Sequence, residues 1–72
     1  MTQEHAVELR HLRAFVAVAE ELSFTRAAVR LRMTQPALSR TIAGLERMVG
    51  GALVRRDRRS VALTAAGVRF LP

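Results

Sequence analysis

The chain has 72 residues, 12 arginines and lysines against 6 acids for a formal net charge of +6, half of its residues hydrophobic and no cysteine. That length makes one small domain that buries about 60% of its unfolded surface, and without cysteine it has no disulfide or thiolate metal site, while His5 and His11 have no ligand cluster behind them. No apolar run approaches the ~20 residues of a membrane span, and the first residues carry acids where a secretion signal carries basic residues and then an apolar stretch, so a cytoplasmic location with no membrane partner is expected.

Residues 1–7 show no periodicity and read as a disordered tail. From Leu9 onward, Leu12, Phe15, Val16, Ala19 and Leu22 recur at helical spacing, which predicts a first amphipathic helix over Glu8 to Glu21 with that stripe inward. Glu20 and Glu21 read as its solvated end, close enough to Ser23 to favour the start of the next helix electrostatically. Ser23 is an N-cap for a second helix from about Phe24 to Arg32. Phe24, Ala27, Ala28 and Leu31 form its inner stripe, and the paired alanines let another helix approach closely.

The connection Arg32-Met33-Thr34 is short and contains no glycine, which leaves the angle between helices open. Thr34 is placed to cap a third helix, Met33 and Leu38 have the spacing of a hydrophobic staple, and Pro36 falls in the first turn where its missing N–H costs nothing. Leu38, Ile42, Leu45 and Val49 make the inner stripe of that helix, and Gly50-Gly51 end it. Pro36, Ser39, Arg40, Ala43 and Arg47 lie on the other side.

After the glycines the period changes. Leu53-Val54 and Val61 to Leu63 are short β-compatible runs on either side of Arg55-Arg56-Asp57-Arg58-Arg59-Ser60, which predicts a two-stranded wing with a charged turn. Thr64 then caps a last helical stretch, AAGVRFL, with Leu63 and Val68 again at staple spacing. The expected fold is therefore mainly α: a winged helix-turn-helix with a three-helix core over residues 8–63 and the start of a further helix at 64–72.

Function is read from what faces outward. Residues 1–21 hold two arginines against four glutamates, a balance of −2, whereas residues 22–72 hold ten arginines against Glu46 and Asp57, a balance of +8. Every basic residue is arginine, whose planar fork grips phosphate or guanine in two places at once, although a GC-rich coding sequence also produces a chain without lysine. The outer side of the third helix carries small and hydrogen-bonding residues, two arginines and no acid. Such a face suits close approach to a DNA groove, and by itself it fits a solvated helix face equally well. Four arginines in the wing turn repel one another unless an anion is near, which favours DNA contact over a merely solvated loop. No glycine-rich phosphate loop, paired carboxylates or Ser-His-acid arrangement is present, so neither catalysis nor a cofactor is expected.

The strings LRHLRAFVAVAEELSFTRAA, TQPALSRTIAGLE and LTAAG, in that order and at those intervals, resemble the DNA-binding domain of LysR-type transcriptional regulators from Leu9 to the end of the chain. The resemblance implies a third helix in the major groove and a wing tip in the adjacent minor groove. Thr34, Gln35, Pro36, Ser39 and Arg40 then lie at the groove. Ser23, Thr25 and Arg26 match positions that hold phosphate, and Arg59, with Arg56 and Arg58 beside it, matches the minor-groove wing arginine. Chemistry agrees: Gln35 has the two groups that pair with adenine, Pro36 has an apolar surface for a thymine methyl, and a narrow A·T-rich minor groove attracts arginine. Departures from the family pattern are Val54, where a larger residue such as Phe is usual, and Arg55 and Arg58, where an acid and a glycine are common. The first loosens wing packing and the others make the wing more basic.

Family members also resemble one another in a linker helix that builds a homodimer and an effector-binding domain of two α/β lobes. The implied partners are thus an inverted-repeat duplex operator and, in the intact protein, a second copy held by the linker helix. Self-association is expected to be weak in this chain, and a small-molecule effector would act only through a C-terminal domain absent from it. The competing reading is a winged-helix protein-interaction module, which would need an exposed apolar patch where the third helix is instead polar and basic. A single-stranded nucleic-acid binder would need stacking aromatics, yet Phe15, Phe24 and Phe70 all sit in apolar stripes.

Overall fold

The computed structural model describes residues 7–57 and 60–72. The chain order is α1 (Leu9–Glu21), α2 (Phe24–Leu31), α3 (Gln35–Val49), β1 (Val54–Arg56), β2 (Val61–Leu63) and α4 (Ala65–Phe70). The predicted tail lies outside the described residues except for Val7, which is exposed.

Three hydroxyl caps start three helices. The side chain of Ser23 accepts from the Arg26 amide, Thr34 from the Ala37 amide and Thr64 from the Gly67 amide, at 3.1, 3.2 and 3.0 Å. Each supplies an acceptor to a backbone donor that has no partner within its own helix. Gly50 ends α3 at φ +86°, where a glycine avoids the steric cost of the left-handed region. The glycine-free turn between α2 and α3 is made instead by Arg32 at φ +59°, with the Met33 amide donating back to the Ala28 carbonyl at 2.9 Å. That left-handed arginine is what turns the chain sharply enough for α3 to cross α2.

The core lies where α1, α2 and α3 meet. Phe15, Val18, Leu38, Leu45 and Leu53 are its largest fully buried side chains, and Ala14, Ala17, Ala27 and Ala28 fill the narrow gaps between helices. Phe70 of α4 closes one end by meeting the edge of Phe15, ring centroids 5.6 Å apart.

Four expectations are corrected here. The inner stripe of α1 is His11, Ala14, Phe15, Ala17 and Val18, whereas Leu12, Val16 and Ala19 are half-buried and Leu22 is 50% exposed. The helix carries two overlapping stripes that share Phe15. The alanine stripe faces the core because small side chains let α2 and α3 close in, and His11 can be buried because its Nδ1 accepts the Glu8 amide at 3.0 Å. Val49 is not part of the α3 core stripe, being exposed where the helix ends. Arg55 and Arg56 belong to strand rather than turn: β1 and β2 pair antiparallel with Arg55 opposite Ala62 and Arg56 opposite Val61. Val68 is 58% exposed, so α4 meets the core through Ala66 and Phe70 rather than through a staple to Leu63. Val54, the small residue in the wing, still packs against the core beside Leu63.

The wing root is anchored three ways. A single Glu46 oxygen, Oε2, accepts the amides of Leu53 and Val54 at 2.8 and 3.1 Å, joining the end of α3 to the start of β1. The Thr64 hydroxyl donates to the Ala52 carbonyl at 2.7 Å, and its amide donates to the Leu53 carbonyl at 3.0 Å. Gly67 packs so closely on Leu53 that an added Cβ would lie 2.1 Å from the Leu53 carbonyl oxygen. These contacts set a two-stranded antiparallel wing on a helical bundle, a winged helix-turn-helix.

Candidate nucleic-acid interface

Helix α3 divides cleanly. Leu38, Ile42 and Leu45 are buried; Pro36, Arg40 and Arg47 are exposed on the opposite side, with Ser39 half-buried beside them and Gln35 exposed in the first turn. Two hydrogen bonds tie this outer side to neighbouring elements. Gln35 Nε2 donates to Thr25 Oγ1 at 3.0 Å, joining the first turns of α3 and α2. Arg56 of β1 donates from Nη2 to Ser39 Oγ at 3.1 Å, while its guanidinium carbon lies 3.9 Å from the centre of the Phe24 ring. Gln35 keeps a carbonyl oxygen and a second N–H for an outside partner. Thr25, Gln35, Ser39 and Arg56 are thus tied in two pairs across α2, α3 and β1, with Ser23, Thr34, Pro36 and Arg40 close to them in the chain.

Arg26 is in a different state from the one the sequence suggests. Its Nη2 donates to the Glu21 carbonyl at 2.6 Å and its Nε to the Glu21 carboxylate at 3.4 Å. Arg30 pairs with Glu20 at 2.8 Å and with Glu21 at 3.3 Å, and the hydrogen bond to Glu20 is the main reason its pKa is raised. Glu20 and Glu21 are thus not simply a solvated helix end; they clasp α2 to α1. At the other end of α1, Glu8 is held below the ordinary carboxylate range chiefly by a hydrogen bond from Arg10. Glu20 and Glu21 lie on α1 and Glu8 just before it, while Glu46 is turned onto the wing root, which leaves the outer side of α3 without an acid.

At the wing tip, Asp57 and Ser60 close the hairpin: the Asp57 amide donates to the Ser60 carbonyl, and Asp57 Oδ1 accepts the Ser60 amide, both at 3.0 Å. Arg58 and Arg59, expected to contact DNA, lie outside the described residues. The Arg40 side chain makes no hydrogen bond or ion pair among the described residues. Among those residues no group of three or more His, Cys, Asp or Glu could hold a metal ion, and no helix is long and apolar enough to cross a membrane. Sequence reasoning missed the roles of Glu46 and Phe24 here. An acid beside the apolar stripe near the end of a helix, just before a change of period, is the signal that could have found the first.

The family model for bacterial regulatory helix-turn-helix proteins of the lysR family matches residues 9–68. The chain belongs to this family. The LysR-family chain is 62% identical over 65 residues to the Hca operon transcriptional activator HcaR of Escherichia coli K12, covering 90% of this chain and 22% of that protein. It is also similar to the BenM DNA-binding domain solved with benA site 1 DNA, at TM-score 0.85 and 52% identity over 90% of this chain and 73% of that one. Against the CbnR DNA-binding domain in complex with DNA the TM-score is 0.87 with 43% identity, covering 90% and 75% of the two chains. The LysR-family chain thus spans 22% of the length of HcaR.

Proposed function

We propose that this chain is a sequence-specific reader of duplex DNA and serves as the DNA-binding domain of a bacterial transcriptional regulator. The observation that carries this reading is the acid-free outer side of α3, whose Gln35 and Ser39 are each steadied by a neighbouring element with hydrogen-bonding capacity left over. The relatives solved with DNA support it. In this reading α3 enters the major groove, with Gln35 pairing to adenine, Arg40 to guanine or phosphate, and Pro36 against a thymine methyl. Thr34 opens the helix toward the backbone. Ser23, Thr25 and Arg26 meet phosphate at the first turn of α2, and Arg58 and Arg59 lead the wing into the adjacent minor groove, where A·T-rich flanks give the strongest attraction.

Residues 8–63 form the reading unit and residues 64–72 lead toward a linker helix through which two copies pair. Two copies on one face of the duplex take half-sites about one helical turn, roughly 34–36 Å, apart in an inverted repeat. The protein then acts in the cytoplasm, and any effector is sensed by the part of the regulator beyond this unit.

Titration of duplex and single-stranded probes at several salt concentrations tests the reading. Arg26, Arg40, Arg47, Arg58 and Arg59 together neutralise about five phosphates, for an expected slope of log affinity against log salt of about −4 to −5 on duplex. A slope near zero, or equal binding to single strands, would exclude it.

A further inference from the structure

Arg56 lies in the strand, not in the turn, and its guanidinium is already engaged on two sides: stacked 3.9 Å over Phe24 and bonded to Ser39 Oγ. Phe24 is 6% exposed, so the platform under Arg56 is fixed by the core itself. We infer that Arg56 is a positioning residue that orients the Ser39 hydroxyl as a hydrogen-bond donor toward the DNA, and so biases which base edge Ser39 recognises. The inference rests on the proposed reading of duplex DNA and names one specificity determinant within it.

The argument is one of donor and acceptor counting. A guanidinium has only donors, so the bond to Ser39 must run from Arg56 and must occupy a lone pair of the hydroxyl. A helical serine can otherwise turn its hydrogen onto the carbonyl one turn back, as Thr41 does onto Ala37 at 3.0 Å. Ser39 does not, and its hydroxyl hydrogen has no acceptor among the described residues. Facing a major groove, a hydroxyl whose hydrogen is free and whose oxygen already takes one N–H from a cation donates by preference, to guanine N7 or O6, adenine N7 or thymine O4, and its remaining lone pair accepts the cytosine amino group less well because that donor must approach the same cation. Without Arg56 the hydroxyl is free to rotate and both of its lone pairs are open, and that preference is lost. Lysine cannot replace arginine here, because an ammonium keeps the charge but has no flat face to stack and no fixed fork.

The test uses the whole chain and a pool of synthetic duplexes with a randomised tract, followed by single-base variants of the sequence that the wild type enriches. Ser39→Ala should lose about fivefold discrimination at one base pair per half-site. Arg56→Lys should lose it at the same base pair, and the double variant should lose no more than either alone. The salt slope of Arg56→Lys should match the wild type and its circular dichroism should be unchanged. If Arg56→Lys fails to fold, Phe24→Leu, which removes the stacking platform and leaves an apolar side chain in the core, should flatten the same base pair.

Discrimination retained in Arg56→Lys or Phe24→Leu, or lost at a different base pair from Ser39→Ala, overturns the inference. So does Arg56→Ala if it keeps the preference and reduces the salt slope by about 0.9, the signature of a phosphate contact. If the wild type enriches no sequence at all, the reading of duplex DNA fails and this inference with it. Enrichment by the wild type together with unchanged preference in the Arg56 variants sinks the inference alone.

Discussion

The inner and outer sides of α3 are both held by other elements, but by opposite kinds of contact. Inside, Leu38, Ile42 and Leu45 are held by area and volume against Phe15, Val18 and Leu53, contacts that have no direction and that gain strength by excluding water. Outside, Gln35 and Ser39 are held by one hydrogen bond each, to Thr25 and Arg56, contacts that are directional and stay exposed to solvent. The first kind supplies stability and tolerates exchange of one apolar shape for another of similar volume. The second contributes little to stability because water competes for the same groups, yet it fixes where donors and acceptors point. One helix thus separates folding from recognition by face.

Substitutions should respect that division. Leu45→Ala should have the largest effect: a buried leucine truncated to alanine costs about 2–5 kcal/mol, which approaches the whole stability of a domain this small. Thermal unfolding followed by circular dichroism should show a large fall in the midpoint or no cooperative transition, whereas Leu45→Met should stay within about 1.5 kcal/mol of the wild type.

Glu46→Ala comes next and sharpens the boundary, since Glu46 lies on α3 but serves the wing. Leaving the Leu53 and Val54 amides without their acceptor should cost about 1–3 kcal/mol in urea unfolding and speed hydrogen exchange at those two amides. Glu46→Gln, which keeps an acceptor oxygen, should recover most of the loss.

On the outer side, Gln35→Ala should move stability by less than about 0.5 kcal/mol, as surface changes generally do. Its affinity for a selected duplex should nevertheless fall by about 1–3 kcal/mol in competition binding, with affinity for unrelated duplex nearly unchanged. Loss of stability in place of affinity would break the comparison. The smallest effect on folding is expected for Arg47→Ala, which is exposed and should leave the midpoint almost where it was. Were it as destabilising as Leu45→Ala, the two sides of α3 would have been assigned the wrong way round.

Several features were legible in the residues alone because their causes act over three or four positions. Ser23, Thr34 and Thr64 each cap the amide three residues ahead, Gly50 ends α3, and Leu38, Ile42 and Leu45 repeat at the pitch of the helix. The order of helices and wing, and a basic outer side without acids on α3, follow from the same local rules. The tertiary structure alone decided between the two stripes of α1, because that choice depends on which side chains are small enough for three helices to approach at once. It alone put Glu46 beneath the wing and Arg56 on Phe24 and on Ser39, the last of which lies 17 residues before Arg56. Such contacts are set by how the packed elements converge, and periodicity, which records only one element at a time, contains no trace of the partner.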